Sequence, residues 1–355
     1  MNRLALGRVI QGLALLLLPL VLSCTVNPVT LEKEFNIISE DKEISLGRNA
    51  NKEISQSFGG LYDDQELQRY VYRIGQALAK NSDRSYLQYH FYVIDSPILN
   101  AFALPGGYIY ITRGLLAEIE NEAQLAGVLG HEIGHVAARH SAIQLSEALG
   151  YQMLTVAAMA APNAGEMLPV VATLSQTMML GYSREREFQA DSMGLTYMFR
   201  SGYDPLEMSN FLYQLSRKGQ GPAGYGIYSS THPDIFERVQ ETRSKAKLMV
   251  ALNLTEKKIR QQNQVGEAEV TREDVKTHAG KVLESEYRSH LEGLLYGPRD
   301  NPRRLHIYTI QEDDSILSVA ENVAGDKDLA EEIADLNNVQ IDDPLEPGTK
   351  IKVAY

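Results

Sequence analysis

The segment His131-Glu132-Ile133-Gly134-His135 constrains the chain more than any other feature. The surrounding sequence from Asn121 to Gly150 predicts one long helix, with an Asn cap and an acidic first turn. Side chains at i and i+4 of a helix project only about 40° apart, so both imidazoles can reach one ion. Glu132 lies near the same face and can hold a water molecule there. The alternative is an amphipathic helix whose two histidines are satisfied by neighbouring groups.

Composition limits which ligands such an ion can have. The 355 residues include a single cysteine, Cys24, which excludes an intramolecular disulfide and a zinc site built on thiolates. Any metal must therefore be held by histidines and carboxylates. With 34 Lys and Arg against 46 Asp and Glu, the net charge of −12 argues against nucleic acid as a partner.

A third ligand does not follow the motif at the spacing that metzincins use. Those positions are Ala138 and Ser141, and His140 misses by one residue. On a continuous helix His140 would lie about 180° from His131, so we expect it to face away from the metal.

The better candidates lie between Ser183 and Asp191, on a predicted helix. Glu187 and Asp191 are spaced i, i+4, so Glu187 can bind zinc while Asp191 accepts the N–H of a ligating histidine. From these residues alone, a solvated charged helix is an equally good interpretation.

Four segments occur in an order and at spacings that resemble one enzyme family. They are Asn100 to Leu116, Glu122 to Ser141, Ser183 to Asp191, and Thr231 to Arg238. Together they resemble the HtpX/BepA-like zinc metallopeptidases, relatives of the CAAX prenyl protease. The resemblance covers the chain from about Ser39 to Arg243.

This resemblance implies roles for individual residues. It implies that His131, His135 and Glu187 bind one Zn²⁺ per chain. Glu132 is then the catalytic acid and base, and Asp191 is the carboxylate that accepts a hydrogen bond from a zinc-binding histidine.

His232 and Arg238 match family positions at the active site. There His232 would donate to the oxyanion or occupy the fourth zinc position in a closed state. Without the resemblance, His232 beside Pro233 would be read as a turn residue.

Gly106 to Thr112 predicts a strand upstream of the motif helix. Zincin folds place an edge strand there, so Gly107, Tyr108, Ile109 and Tyr110 are expected to bind an extended substrate by main-chain hydrogen bonds. An ordinary inner strand is the alternative.

The N-terminus has the layout of an export signal. Residues 1–23 place Arg3 and Arg8 before an apolar run and contain no acidic residue. Leu20 to Cys24 resembles the bacterial lipobox, so Cys24 is predicted to carry lipid and tether the chain to a membrane. Thr25 in place of Asp favours the outer membrane. An ordinary signal peptide followed by a buried cysteine is the alternative.

The C-terminus resembles a LysM module, a fold that commonly binds the N-acetylglucosamine backbone of peptidoglycan. Residues Leu305 to Tyr355 predict a strand, two helices and a closing strand, after a plausible linker at Pro298 to Pro302. The match departs at Glu312 to Ser315, where the usual turn glycine is missing. A small interaction or stabilising module is the alternative.

Together these features predict an α+β protein: a mainly helical zincin-type metalloprotease domain with a small β-sheet, and a small C-terminal LysM-like α/β module. The predicted divisions are a signal peptide at 1–23, the protease domain at 24–250, a helical extension and linker at 251–302, and the module at 303–355. The resemblance implies a gluzincin-like endopeptidase that degrades misfolded or unassembled proteins on the periplasmic side of a bacterial envelope. A non-proteolytic chaperone or assembly scaffold that binds peptidoglycan is the alternative.

Overall fold

The computed structural model describes residues 24–159, 173–174, 176–177, 180–218, 228, 230–262 and 280–355. The predicted signal peptide, 1–23, lies outside this part of the chain. The strands are β1 (Cys24–Val26), β2 (Lys33–Phe35), β3 (His90–Ile94), β4 (Ala101–Leu104), β5 (Tyr108–Thr112), β6 (Leu295–Tyr296), β7 (Arg303–Thr309) and β8 (Lys350–Ala354).

Helices make up most of the remaining described chain, which confirms the predicted α+β class. They are α1 (Glu40–Ser57), α2 (Gln65–Ala79), α3 (Arg113–Glu118), α4 (Glu122–Ala137), α5 (His140–Met159), α6 (Arg184–Arg200), α7 (Leu206–Lys218), α8 (Ile235–Gln262), α9 (Glu284–Ser289), α10 (Ile316–Val319) and α11 (Ala330–Leu336). Within the described ranges, no helix has both the length and the apolar character to cross a bilayer.

The motif helix α4 is buried along its whole length. Asn121 caps it as predicted, because its side chain accepts from the backbone N–H of Gln124. The prediction of one helix to Gly150 is wrong, since the chain turns at Arg139, whose φ of 60° is left-handed. Glu43 and the Ile38 carbonyl hold this turn by accepting from the Arg139 guanidinium, each at 2.7 Å. The next helix therefore starts in a new direction at His140.

The central sheet has the strand order β3-β5-β4. Strand β5 pairs in parallel with β3 and antiparallel with β4, so its main chain is hydrogen-bonded on both sides. The prediction that Gly107 to Tyr110 form an edge strand is therefore wrong. The edge on the side of the motif helix is β4, which packs against α4.

The C-terminal residues follow the predicted order of strand, helices and strand, and β6, β7 and β8 form one sheet. The predicted linker at Pro298 to Pro302 lies between β6 and β7, two strands that pair with each other. The predicted boundary at residue 250 falls inside the continuous helix α8. Leu305, Leu336 and Ala354 belong to the same buried cluster as the apolar side chains of α4, so the module shares the core of the preceding domain.

Candidate metal centre

Helices α4 and α6 cross at a distance that only very small residues allow. A Cβ atom on Gly194 of α6 would lie 2.9 Å from the backbone nitrogen of His131, and one on Gly134 of α4 would lie 2.9 Å from the Ala190 carbonyl oxygen. This close approach places Glu187, near the start of α6, opposite the two histidines of α4. Ser183 begins α6 by accepting from the backbone N–H of Arg186.

Four buried side chains, His131, His135, Glu187 and His232, offer ligand atoms that all lie within 4.8 Å of one another. The Nε2 atoms of His131 and His135 are 3.0 Å apart, and Glu187 carboxylate oxygens lie 3.5 and 3.3 Å from them. Ligand atoms about 2.0 Å from a tetrahedral zinc ion are about 3.3 Å from each other. The three pairs thus have the separations of a zinc ligand set.

His232 occupies the remaining corner of this arrangement. Its Nδ1 lies 3.3 Å from His131 Nε2 and 3.3 Å from each Glu187 carboxylate oxygen. Its Nε2 points the other way and lies 3.3 Å from the Ala101 carbonyl oxygen on strand β4. With His232 only 2% exposed, the site is closed to solvent.

Glu132 lies beside this group of four side chains. Its Oε2 is buried without a hydrogen-bond partner among the described residues, and its Oε1 lies 3.7 Å from His232 Nε2. Burial raises the pKa of Glu132, although His232 and His131 oppose that shift. A buried carboxylate oxygen without a partner is unusual in a folded protein, and a bound water or ion would satisfy it. Two imidazoles, one carboxylate and this free oxygen fit a zinc ion with its water.

The His131 ring is held from behind by charged groups. Its Nδ1 lies 2.8 Å from Asp191 Oδ1, so Nδ1 donates and Nε2 is left to face the centre. Arg238 donates to both oxygens of Asp191 at 2.7 Å and approaches Glu187 at 2.6 Å. Burial alone would raise the pKa values of Asp191 and Glu187, but Arg238 together with the neighbouring histidines outweighs burial and lowers both pKa values. Both carboxylates are therefore anionic at neutral pH.

His135 has a different kind of partner. Its Nδ1 lies 2.9 Å from His140 Nδ1, and His140 Nε2 lies 3.0 Å from Gln189 Oε1. Tyr182 stacks on the His135 ring at 4.0 Å. Burial lowers the pKa of His140 to about 3, so this chain of groups is neutral. The expectation that His140 faces away is wrong, because the left-handed turn at Arg139 brings it back to His135. Nothing in the sequence at Arg139, the residue before His140, predicts a left-handed turn.

Seven of the predicted site residues meet here: His131, Glu132, His135, Glu187, Asp191, His232 and Arg238. Arg238 contacts the carboxylates of Asp191 and Glu187 and also lies 3.4 Å from His131 Nδ1, so it sits behind the centre rather than at its open side. Gly107 to Tyr110 lie one strand away, with Gly107 just before β5 and the other three residues in it, and Cys24 begins the separate β1–β2 pair. Strand β4 was missed, although the apolar run Ala101 to Leu104 before Pro105 is a signal for a short buried strand.

Comparison with known proteins finds similarity over the region that contains this centre. The family described as Peptidase family M48 matches residues 65–246, about half of the chain. This range includes every residue of the centre.

Individual relatives are similar over the same region. The beta-barrel assembly-enhancing protease of Yersinia pestis is 32% identical over 225 residues, which are 60% of this chain and 45% of that protein. Its counterpart in Escherichia coli K12 is 31% identical, with the same coverage. The mitochondrial metalloendopeptidase OMA1 of Schizosaccharomyces pombe is 30% identical over 217 residues, 60% of this chain and 64% of that protein. The matched region spans a little under half the length of the bacterial relatives.

Proposed function

The chain belongs to peptidase family M48, and on that premise we propose that it is a zinc-dependent endopeptidase. The observation that carries the proposal is the cluster of His131, His135 and Glu187 with the unpartnered Glu132 oxygen beside it. A zinc ion bound there would polarise the scissile carbonyl and lower the pKa of a water molecule.

The remaining roles, which are proton transfer, orientation of the histidine rings and substrate binding, fall to other groups around the centre. Glu132 accepts the proton of the attacking water and delivers it to the leaving amine, a role that suits a buried carboxyl with a raised pKa. Asp191 and Arg238 orient the His131 ring, and His140 orients the His135 ring. Strand β4, the edge strand next to the centre, is where an extended substrate would pair.

We propose that His232 gates the site. In the closed arrangement it fills the fourth ligand position and contacts the Ala101 carbonyl of the β4 edge, so it blocks both the metal and the substrate strand. Displacing it would open both at once. Absorption spectra of the Co²⁺-loaded protein test this: the His232→Ala variant is expected to lose one nitrogen ligand. Identical spectra would show that His232 does not bind the metal.

Glu132→Gln tests the protease assignment itself. The change keeps the size of the side chain and removes the base, so cleavage of an unfolded protein should fall by about 10³-fold or more. Zinc content and melting temperature should stay as in the unchanged protein. Equal cleavage rates in the two proteins would contradict the protease assignment and favour a chaperone or scaffold.

The proposed substrates are misfolded or unassembled proteins of a bacterial envelope. The names of the bacterial relatives, beta-barrel assembly-enhancing proteases, support this choice. Cleavage of an outer-membrane barrel protein, presented unfolded and then folded in detergent, tests it. Preference for the folded form would contradict it.

For the two ends of the chain we keep the predictions from sequence. Cys24 is proposed to carry lipid that anchors the protein, facing the periplasm, at the outer membrane. Incorporation of labelled palmitate that Cys24→Ser abolishes would support the anchor, and label in that variant would refute it. Residues 303–355 are proposed to be a LysM-like module, and sedimentation with cell-wall sacculi tests peptidoglycan binding.

A further inference from the structure

A cleft of about 1600 Å³ lies between the protease domain and the C-terminal module. Its walls include Leu99, Gln124 of α4, Gln214 of α7, and Asp335 and Gln340 of the module. Sites for small molecules occupy about 300–1,000 Å³. A cleft of this size suits a chain-like ligand.

The cleft reaches the start of the edge strand β4, beside the metal centre. Leu99 in its wall is two residues before Ala101, whose carbonyl oxygen is 3.3 Å from His232. Gln124 in the cleft wall and His131 are seven residues apart on the buried helix α4, so the cleft and the centre are separated by about 10 Å along that helix axis. An extended chain covers that distance in about three residues.

Several charged groups in the cleft wall are paired with one another, while Arg217 and Asp335 lie exposed there. Lys218 pairs with Glu118, and Arg303 pairs with Glu332. Glu207 accepts from the amides of Asn121, at 2.7 Å, and Gln124, at 3.2 Å. The wall therefore carries charges of both signs and forms no patch of one sign that would select an ionic ligand.

Amide side chains on both walls of the cleft can hydrogen-bond to a ligand. Gln214, which is half-buried, lines the cleft on the side of α7. Gln340 lines the opposite wall with an exposed side chain. Such groups suit the alternating N–H and C=O of a polypeptide main chain, which do not depend on sequence.

The two walls are fixed relative to each other. Lys352 of the module is fully buried, and its ammonium donates to Glu120 Oε1 at 2.9 Å and to the Ala117 carbonyl at 2.8 Å. Asn338 also donates to Glu120, at 2.8 Å. The cleft is therefore a permanent feature of the fold.

We propose that this cleft holds the part of a polypeptide substrate that lies three or more residues from the scissile bond, so that the C-terminal module forms one wall of the substrate site. This inference rests on the proposed endopeptidase function. It assigns the module a role in selecting long unfolded chains over short peptides.

Blocking the cleft from the module side tests the proposal. Gln340→Trp places a bulky ring at an exposed position of the wall, and Asp342→Trp is the matched control at an exposed position that does not line the cleft. The measured quantity is the ratio of kcat/KM for an unfolded protein to kcat/KM for a peptide with two residues on either side of the cleaved bond. We expect Gln340→Trp to lower this ratio about ten-fold or more and Asp342→Trp to leave it unchanged. Equal melting temperatures exclude misfolding as the cause.

Other outcomes overturn the proposal. An unchanged ratio in Gln340→Trp would do so, as would an equal fall in the control. If the ratio stays constant while Gln340→Trp loses sedimentation with sacculi, the cleft binds glycan instead. A failure of the proposed function looks different, because the unchanged protein would then cleave neither substrate. Binding of the labelled unfolded protein to Glu132→Gln, with and without Gln340→Trp, still tests the cleft in that case.

Discussion

The two histidines of the motif helix are oriented by partners of different charge. His131 donates to Asp191, which Arg238 holds in its anionic form. His135 contacts His140, which burial keeps neutral. Both arrangements fix the tautomer that leaves Nε2 free for a metal. The neutral partner, His140, adds no charge to the centre, so it contributes only by orienting the His135 ring.

His140→Ala should therefore weaken zinc binding without removing a ligand. Loss of a group that orients a metal-ligating histidine typically lowers metal affinity about 10–100-fold. Competition with a chromophoric chelator measures this, and His140→Gln, which can still hydrogen-bond to His135, should recover part of the loss. His290→Ala, a partly exposed histidine away from the centre, is the control. Unaltered zinc affinity in His140→Ala would refute the role of His140.

Asp204 makes stability depend on pH. Burial raises the pKa of Asp204 to about 6, while its carboxylate accepts from the Leu206 N–H at 2.8 Å. A folded-state pKa above the unfolded value near 3.9 means that the charged form destabilises the fold above about pH 6, and that this cost fades as the pH falls toward 4. Asp204→Asn keeps the acceptor and should melt higher than the unchanged protein at pH 7.5, with the difference narrowing by pH 4.5. A difference that grows on acidification would contradict this assignment.

At the scale of elements, the contact between α4 and α6 determines whether the ligands meet. Gly130 and Gly134 of α4 lie against Gly194 and Ala190 of α6. Larger residues there would separate the helices and move Glu187 away from His131 and His135.

Gly194→Ala tests this contact. Alanine favours a helix over glycine by about 1 kcal/mol, but its Cβ would lie 2.9 Å from the His131 nitrogen. We expect the steric overlap to outweigh the gain in helix propensity. The free energy of unfolding in urea should then fall by about 1–3 kcal/mol, and zinc binding should weaken. Ser192→Ala, on a half-buried position of the same helix, should change neither quantity. A more stable Gly194→Ala would mean that the helices can separate freely.

The helices that carry the ligands could be predicted from sequence because their signals are local. Asn121, the motif spacing and the i, i+4 pair of Glu187 and Asp191 all act within a few residues. The neighbours of β5 depend on contacts distant in sequence. One signal was available: Tyr108 to Thr112 is apolar almost throughout, as in a strand buried on both faces. The turn at Arg139 depends on Glu43, far away in sequence, and has no local signal.

At the scale of the whole molecule, the C-terminal module has a small core of its own and joins the main core through Leu305, Leu336 and Ala354. Lys352, Glu120 and Arg288 are all buried, and Glu120 immediately precedes the cap of the motif helix. A proline-rich segment between two domains normally indicates a linker, so the sequence alone could not reveal this packing.

Lys352→Met should therefore destabilise the whole chain. Removing one partner of a buried charge network leaves the others unpaired, which costs about 3–5 kcal/mol. Urea unfolding should show a single transition moved to lower denaturant. The double variant Lys352→Met with Glu120→Gln should recover part of the loss. Lys327→Met removes an exposed pair with Glu321 and should cost less than about 1 kcal/mol. A separate low-stability transition of the module would contradict the shared core.

Arg238 also affects the order in which the protein folds and binds its metal. Its guanidinium already compensates the charges of Glu187 and Asp191, so the ligands have a stable arrangement of their own. Zinc fingers, by contrast, stay unfolded until metal arrives. A chain built with an internal counter-ion can finish folding first and take up its ion last, and a cooperative melting curve in the presence of a chelator would show this. The supply of metal in its compartment, rather than the rate of folding, then sets the moment of activation.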